Sequence, residues 1–193
     1  MISQLQKLKI ANNILSIIVI IFAVYLIFFP YWPRISHALF PTAEIIVPRE
    51  NAPTISSLFG DVSGNWLLIP SIGVRREIIE SDTIKTVHEN IWRRPLGSSP
   101  EKGGNTIMVA HRYATIGGNR ASTFYDLPNL VVGDKIYVKW NDVLYTYQVR
   151  DTEIVPKTAI EIENNTPYPL LTLYTCTPLW TAENRFVVRA VPI

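Results

Sequence analysis

One cysteine, Cys176, closes the apolar run LLTLYT at 170–175, and Thr177 and Pro178 turn the chain directly after it. A free cysteine is most often core filling, a small buried hydrophobe. A cysteine at a strand terminus can instead reach a surface groove. Its thiolate is a strong nucleophile when a neighbouring imidazolium or other cation favours it. His111 ends a second apolar run, NTIMVA at 105–110, and offers an imidazole at another strand terminus. Side chains at the ends of barrel strands can converge on one rim. A lone histidine is more often structural than catalytic, so the pairing needs a third group. Acyl transfer requires donors for a developing oxyanion, and Arg185 opens the run RFVVRA at 185–190. If the strands bearing Cys176 and Arg185 pair antiparallel, the guanidinium returns to the cysteine, and its five donors suit a carbonyl or an oxyanion. Arg189 lies on the same face by the period of two and is the rival. The plain structural alternative for either arginine is a solvated strand edge.

The elements that must position these residues are strands. WLLIP (66–70) and REIIE (76–80) flank a Gly-containing turn, and NTIMVA follows a loop rich in Gly, Ser and Pro. KIYVKW (135–140) and VLYTYQV (143–149) are separated by Asn141 and Asp142, a hairpin signal. DTEIV (151–155), LLTLYT and RFVVRA complete about eight short strands rich in Val, Ile, Tyr and Thr, the pattern of a mostly-β barrel or sandwich. Two short stretches, 121–130 and 158–164, read as helical.

The N-terminus has another character. ILSIIVIIFAVYLIFF (14–29) is apolar apart from Ser16, and extended to Trp32 it approaches the roughly 20 residues that span a bilayer. Pro30 closes the run, Tyr31 and Trp32 suit the interface, and Lys7 and Lys9 precede it, which places the short N-terminus in the cytoplasm. A cleaved signal peptide would have a shorter apolar region and a small-residue cleavage site, which SHALFPTA resembles poorly; a core helix would show a polar face. The expected organisation is a cytoplasmic N-terminus (1–13), a transmembrane anchor (14–32), a Pro-containing linker (33–64) and a folded domain (65–193) outside the cell membrane. A lone thiol in an oxidising compartment is a liability that asks for a reason.

Composition narrows the partners. The 193 residues carry a formal charge of +2 with no basic run, so nucleic acid is not expected. One cysteine forms no internal disulfide, and with scattered His37, His88 and His111 it gives no zinc-type spacing. No metal or cofactor is expected for the chemistry.

TLYTC (172–176) resembles the TLxTC signature of the sortases, the cysteine transpeptidases of bacterial surfaces. GGNTIMVAHR (103–112) is similar to the family's stretch around its catalytic histidine, NLVVGDKIYV (129–138) to the strand that follows, LLIPSIGVRREI (67–78) to its first strand pair, and RFVV to its arginine segment. The similarity is colinear from about Trp66 to Pro192. It implies a closed eight-stranded β-barrel with short helices behind an N-terminal transmembrane helix. It implies Cys176 as nucleophile, His111 as general acid/base and Arg185 as the substrate-polarising arginine, preferred over Arg189 because the arginine–apolar–apolar–valine pattern begins there.

The same resemblance implies a substrate: surface proteins bearing a C-terminal Leu-Pro-x-Thr-Gly-like sorting signal, cleaved through a thioacyl-enzyme and passed to an amine of peptidoglycan or to a pilin lysine. The loop 156–169 is then the specificity segment, with Ile160 and Ile162 as contacts for the signal's Leu and Pro and Thr175 as a further substrate contact. Glu161 and Glu163 read as a solvated face, although some members bind calcium in this loop. His88 reads as structural or at the groove edge. Departures leave the subclass open. Leu179, Trp180 and Ala182 stand where one pilin-assembling branch has Tyr, Gly and Asn. No Asp-Pro-aromatic lid motif precedes the barrel, and no second apolar span follows. Two alternatives are another Cys/His peptidoglycan-active enzyme and a non-catalytic envelope-binding barrel. L,D-transpeptidases place histidine and glycine before the cysteine, where Tyr174 and Thr175 stand here, and the joint presence of Cys, His and Arg argues against a binding module.

Overall fold

A computed structural model of the chain describes residues 4–40, 45–47, 53–83, 87, 90–114 and 122–193. The chain divides into two units, Met1–Pro41 and Thr42–Ile193. The expectation for His88 falls outside the described residues.

The first unit is helical: α1 (Gln4–Phe28), a 3-10 turn at Phe29–Tyr31, and α2 (Trp32–Leu39). The α-helical hydrogen bonds stop before Pro30, whose ring and missing N–H do not fit a helix interior. No residue of α1 is buried. The helix extends about 37 Å at 1.5 Å per residue, long enough for a bilayer core of about 30 Å. Its one polar residue inside the apolar run, Ser16, donates its hydroxyl to the Asn12 carbonyl at 2.9 Å, so it presents no unmatched donor. By length and composition the helical stretch Gln4–Leu39 can cross a membrane.

The second unit is a closed barrel of eight strands in the order β1-β2-β3-β4-β7-β8-β6-β5. The strands are β1 (Asn65–Ile69), β2 (Val74–Glu80), β3 (Ile91–Arg93), β4 (Asn105–Val109), β5 (Lys135–Trp140), β6 (Val143–Pro156), β7 (Leu170–Thr177) and β8 (Asn184–Pro192). Alternate residues point inward. Leu67 and Ile69, Ile136 and Val138, Leu171 and Leu173, and Val188 and Ala190 meet in one buried core. The β5–β6 hairpin turns on Asn141 (φ 48°) and Asp142 (φ 58°), the two positive φ angles of the turn that Asn and Asp tolerate.

The sequence pattern and the structure reach eight strands differently. VLYTYQV and DTEIV are one long strand, β6, whose register with β8 shifts between Val149 and Asp151. The bulge at Arg150 breaks the hydrophobic alternation and imitates a strand boundary. The eighth strand is instead β3, three residues that pair parallel with β2 and antiparallel with β4. Three residues are too few to carry a period. The stretches that read as helical hold only 3-10 turns, Leu127–Asn129 and Ile160–Glu163, with Ala121 outside the described residues.

Part of the segment expected to act as a spacer packs on the barrel's outer face. Leu58 and Phe59, with Ile45, Val47, Ile55 and Val62, form a second apolar cluster around Leu68 and Tyr137. The short helix α3 (Ile55–Phe59) is fixed by a capping box, in which the Ser57 N–H donates to Thr54 Oγ1 and the Thr54 N–H to Ser57 Oγ. The ammonium of buried Lys139 donates to the carbonyls of Val62 and Gly64 at 3.0 and 2.9 Å. Arg75 donates to the Phe59 carbonyl.

Candidate active site

Strand direction brings the three candidate residues to one rim. β4 and β7 run parallel, with Val109 opposite Tyr174. β4 ends at Val109, and His111 follows it by two residues as Cys176 follows Tyr174. β8 runs antiparallel to β7, and Cys176 lies directly opposite Arg185. The C-terminal ends of β4 and β7 and the N-terminal end of β8 therefore share one edge of the barrel. Inward Leu171 and Leu173 alternate with outward Tyr174 and Cys176, so the thiol lies on the outer face. Cys176, His111 and Arg185 are each half-buried.

Several bonds hold this edge. The hydroxyl of buried Thr175 donates to the Ala110 carbonyl at 2.8 Å, fastening the end of β4 to β7 between His111 and Cys176. Arg112 Nη1 donates to Thr177 Oγ1 at 2.6 Å. The Tyr113 and Trp180 rings meet edge to face with centroids 5.4 Å apart, which ties the loop after His111 to the loop after Cys176. Arg185 Nη1 donates to the carbonyls of Ala182 and Asn184 at 3.1 and 3.0 Å. Among the described residues no acceptor takes the Nε or Nη2 hydrogens of Arg185. Arg189, its rival, is committed elsewhere: Nη1 lies 2.9 Å from Asp151 Oδ1, and Nη2 bonds Glu153.

A groove of about 300 Å³ opens at this rim, bordered by Cys176, His111 and Arg185. Ile160, Ile162 and Thr175 border it as well. Ile162 is buried, Ile160 is 81% exposed, and the Thr175 hydroxyl is occupied by its bond to Ala110. The groove is also lined by residues that the sequence pattern does not assign to it, among them Trp92, Arg94, Glu163 and Tyr174. Tyr174 was within reach of that pattern, since the period of two puts it on the face of Cys176. Nothing local marks Arg94 and Glu163 as partners.

Glu163 is not part of a solvated face. Arg94 Nε donates to both of its carboxylate oxygens at 3.0 and 3.1 Å, and Nη2 to Oε2 at 3.0 Å. The Tyr174 hydroxyl donates to Oε1 at 2.5 Å. Glu161 is exposed. Burial pushes the Tyr174 hydroxyl well above its ordinary pKa, the bond to Glu163 and its charge push further, and Arg94 and Arg185 oppose. Burial disfavours the charge on Arg94, and the bond to Glu163 with its charge outweighs that, so the guanidinium pKa rises. Among the described residues no group of three His, Cys, Asp or Glu side chains is arranged to hold a metal ion.

A closed barrel with cysteine, histidine and arginine on one rim defines the class of protein. The sortase domain model matches residues 67–193, most of the chain, and the chain belongs to the sortase family. It is 28% identical over 123 residues to Sortase A of Bacillus anthracis, a match that covers 62% of this chain and 55% of that protein. The chain thus spans about half the length of this curated relative. Among solved structures it resembles sortase C1 of Streptococcus agalactiae (TM-score 0.60, 25% identity, 67% of this chain and 66% of that one). It also resembles sortase C-1 of Actinomyces oris (TM-score 0.60, 26% identity, 69% and 76%). The family and the barrel read from TLYTC and its companion segments are the ones found.

Proposed function

We propose that this chain is a membrane-anchored cysteine transpeptidase acting on a Leu-Pro-x-Thr-Gly-like sorting signal. The observation that supports this best is the register of β4, β7 and β8. It sets a thiol opposite a guanidinium and ends β4 two residues before an imidazole, with all three at the border of one groove.

In this reading the Cys176 sulfur attacks the Thr carbonyl carbon of the signal. Arg185, with Nε and Nη2 donors to offer, stabilises the charge that develops on the carbonyl oxygen. The bond to the glycine nitrogen breaks, and His111 gives that nitrogen its proton. A thioester to Cys176 remains, and splitting the reaction in two is the gain from nucleophilic catalysis. An incoming amine then attacks the thioester carbon and passes its proton to His111, and the carbon–sulfur bond breaks. The amine belongs to a peptidoglycan cross-bridge or to a pilin lysine. The proton that His111 gives to the glycine nitrogen is the one the Cys176 thiol loses as its sulfur attacks. Ile160 and Ile162 supply apolar contacts for the signal's Leu and Pro. Thr175 contributes indirectly, by fixing the strand ends on either side.

The placement belongs to the same proposal. Residues 14–32 span the cell membrane in contact with lipid, 1–13 lie in the cytoplasm, 33–64 connect, and 65–193 form the catalytic barrel outside. The test is cleavage of quenched fluorescent Leu-Pro-x-Thr-Gly-type peptides by the full chain in detergent, with oligoglycine or a lysine peptide as acceptor. Ligated product should form with one acceptor class. Cys176→Ala should abolish turnover, and His111→Ala should slow it about 10²–10⁴-fold. Turnover that survives Cys176→Ala would refute the mechanism.

A further inference from the structure

The loop between β6 and β7 forms one wall of the groove through Ile160 and Ile162. Two separate sets of bonds hold its stretch 162–165, while the Lys157 N–H donates to the Glu183 carbonyl at 3.1 Å where the loop begins. One is a clamp on the backbone: Asn105 Nδ2 donates to the carbonyls of Ile162 and Asn164 at 3.1 and 3.0 Å, and the Asn105 N–H donates to Asn165 Oδ1 at 3.0 Å. Asn105 Oδ1 in turn accepts from Thr172 at 2.7 Å. Gly104 (φ 74°) permits the approach, since a Cβ there would lie 2.3 Å from Asn165 Oδ1. This clamp ties the loop to β4 and to the start of β7, remote from the thiol.

The other set converges on the side chain of Glu163. Its carboxylate accepts from two N–H groups of Arg94, the Nε–H shared between both oxygens and one Nη2–H, and from the Tyr174 hydroxyl, and it stands next to Ile162 in the chain. Arg94 is itself seated on the Trp92 ring, 4.6 Å from the centroid, and Trp92 Nε1 donates to the Ser81 carbonyl at 2.7 Å. Tyr174 stands two residues before Cys176 on the same face. A bidentate guanidinium on one side and a phenol on the other fix the carboxylate in direction as well as position. We propose that Glu163 is a positioning residue for substrate recognition: it fastens the loop wall to the strand that carries Cys176 and so sets the width of the groove that receives the signal's apolar residues. The kinetic consequence rests on the peptide-groove reading given above; the mechanical one does not.

The experiment compares wild type, Glu163→Gln, Tyr174→Phe and the control Glu161→Gln, as full chains in detergent. Three quantities are read: KM and kcat on the best Leu-Pro-x-Thr-Gly-type peptide, the alkylation rate of Cys176 by iodoacetamide, and amide exchange across 157–165. Glu163→Gln keeps the shape and removes the charge that Arg94 grips, and Tyr174→Phe removes one bond alone. The expected result is a KM raised about tenfold by Glu163→Gln, with kcat changed much less. Faster exchange confined to the loop and an unaltered alkylation rate should accompany it, because the small reagent needs no groove. Tyr174→Phe should move the same quantities by less, and Glu161→Gln none of them. Unchanged loop exchange in Glu163→Gln and Tyr174→Phe would overturn the proposal. So would a loss carried in kcat alone, which would assign Glu163 to the chemistry, or faster exchange across the whole barrel, which would make the bonds only a prop of the fold. If wild type turns over no peptide, the peptidase reading fails, while exchange and alkylation still decide the fastening.

Discussion

Cys176 and Arg185 face each other across the β7–β8 ladder, and that pairing separates Arg185 from the similar Arg189. Arg185→Lys keeps the charge and loses the planar fork. Peptide kinetics should show kcat reduced about 10²-fold with KM little changed, as for other oxyanion donors. Arg189→Ala should leave kcat alone and lower stability by about 1 kcal/mol in urea denaturation, since its partners are partly exposed. Burial alone would raise the Asp151 pKa; the bonds from Arg150 and Arg189 and their charges outweigh that and hold it below the usual carboxylate range. A depressed carboxylate pKa stabilises the fold above the unfolded-state pKa, about 4. The difference between wild type and Arg189→Ala should therefore shrink as pH falls below about 4. At this scale the sequence speaks where a residue sits at a strand end inside a distinctive motif, as Cys176, His111 and Arg185 do: the structure brings all three to one groove, and their roles belong to the proposal. The sequence is silent on Arg94 and Glu163, which stand 69 residues apart and meet only because β3 and the β6–β7 loop border one groove.

Among the elements, periodicity sufficed for strands that alternate cleanly and misled where a strand is bulged or very short. The alternation breaks at Arg150 inside β6, and β3 is too short to show a period. The Pro-containing segment before β1 read as a spacer because its apolar residues follow no single period. In space, Leu58, Phe59 and Val62 cover Leu68 and Tyr137. A fragment beginning at Asn65 would strip that cover and take two carbonyl acceptors from Lys139, leaving Asp142 as its partner. Fragments from Thr42 and from Asn65 should thus differ in stability by several kcal/mol, with the single change Phe59→Ala costing about 3 kcal/mol in urea denaturation. Equal midpoints would show that the segment rests on the barrel without supporting it.

For the molecule as a whole, an exposed apolar helix and a small mostly-β barrel are two units, to which the proposed function gives anchoring and catalysis. Deleting residues 1–39 should move the protein from the membrane pellet to the soluble fraction while the barrel's circular dichroism is kept. In the proposed mechanism this barrel forms a thioester with a sorting signal. The most direct measurement is the intact mass of the full chain, in detergent, after incubation with a panel of Leu-Pro-x-Thr-Gly-like peptides, beside Cys176→Ala. An added mass equal to the peptide's fragment through its threonine is expected, located on Cys176 and absent from the variant. A folded protein with a titratable Cys176 thiol and no adduct from any peptide, or an adduct that persists in Cys176→Ala, would contradict the mechanism.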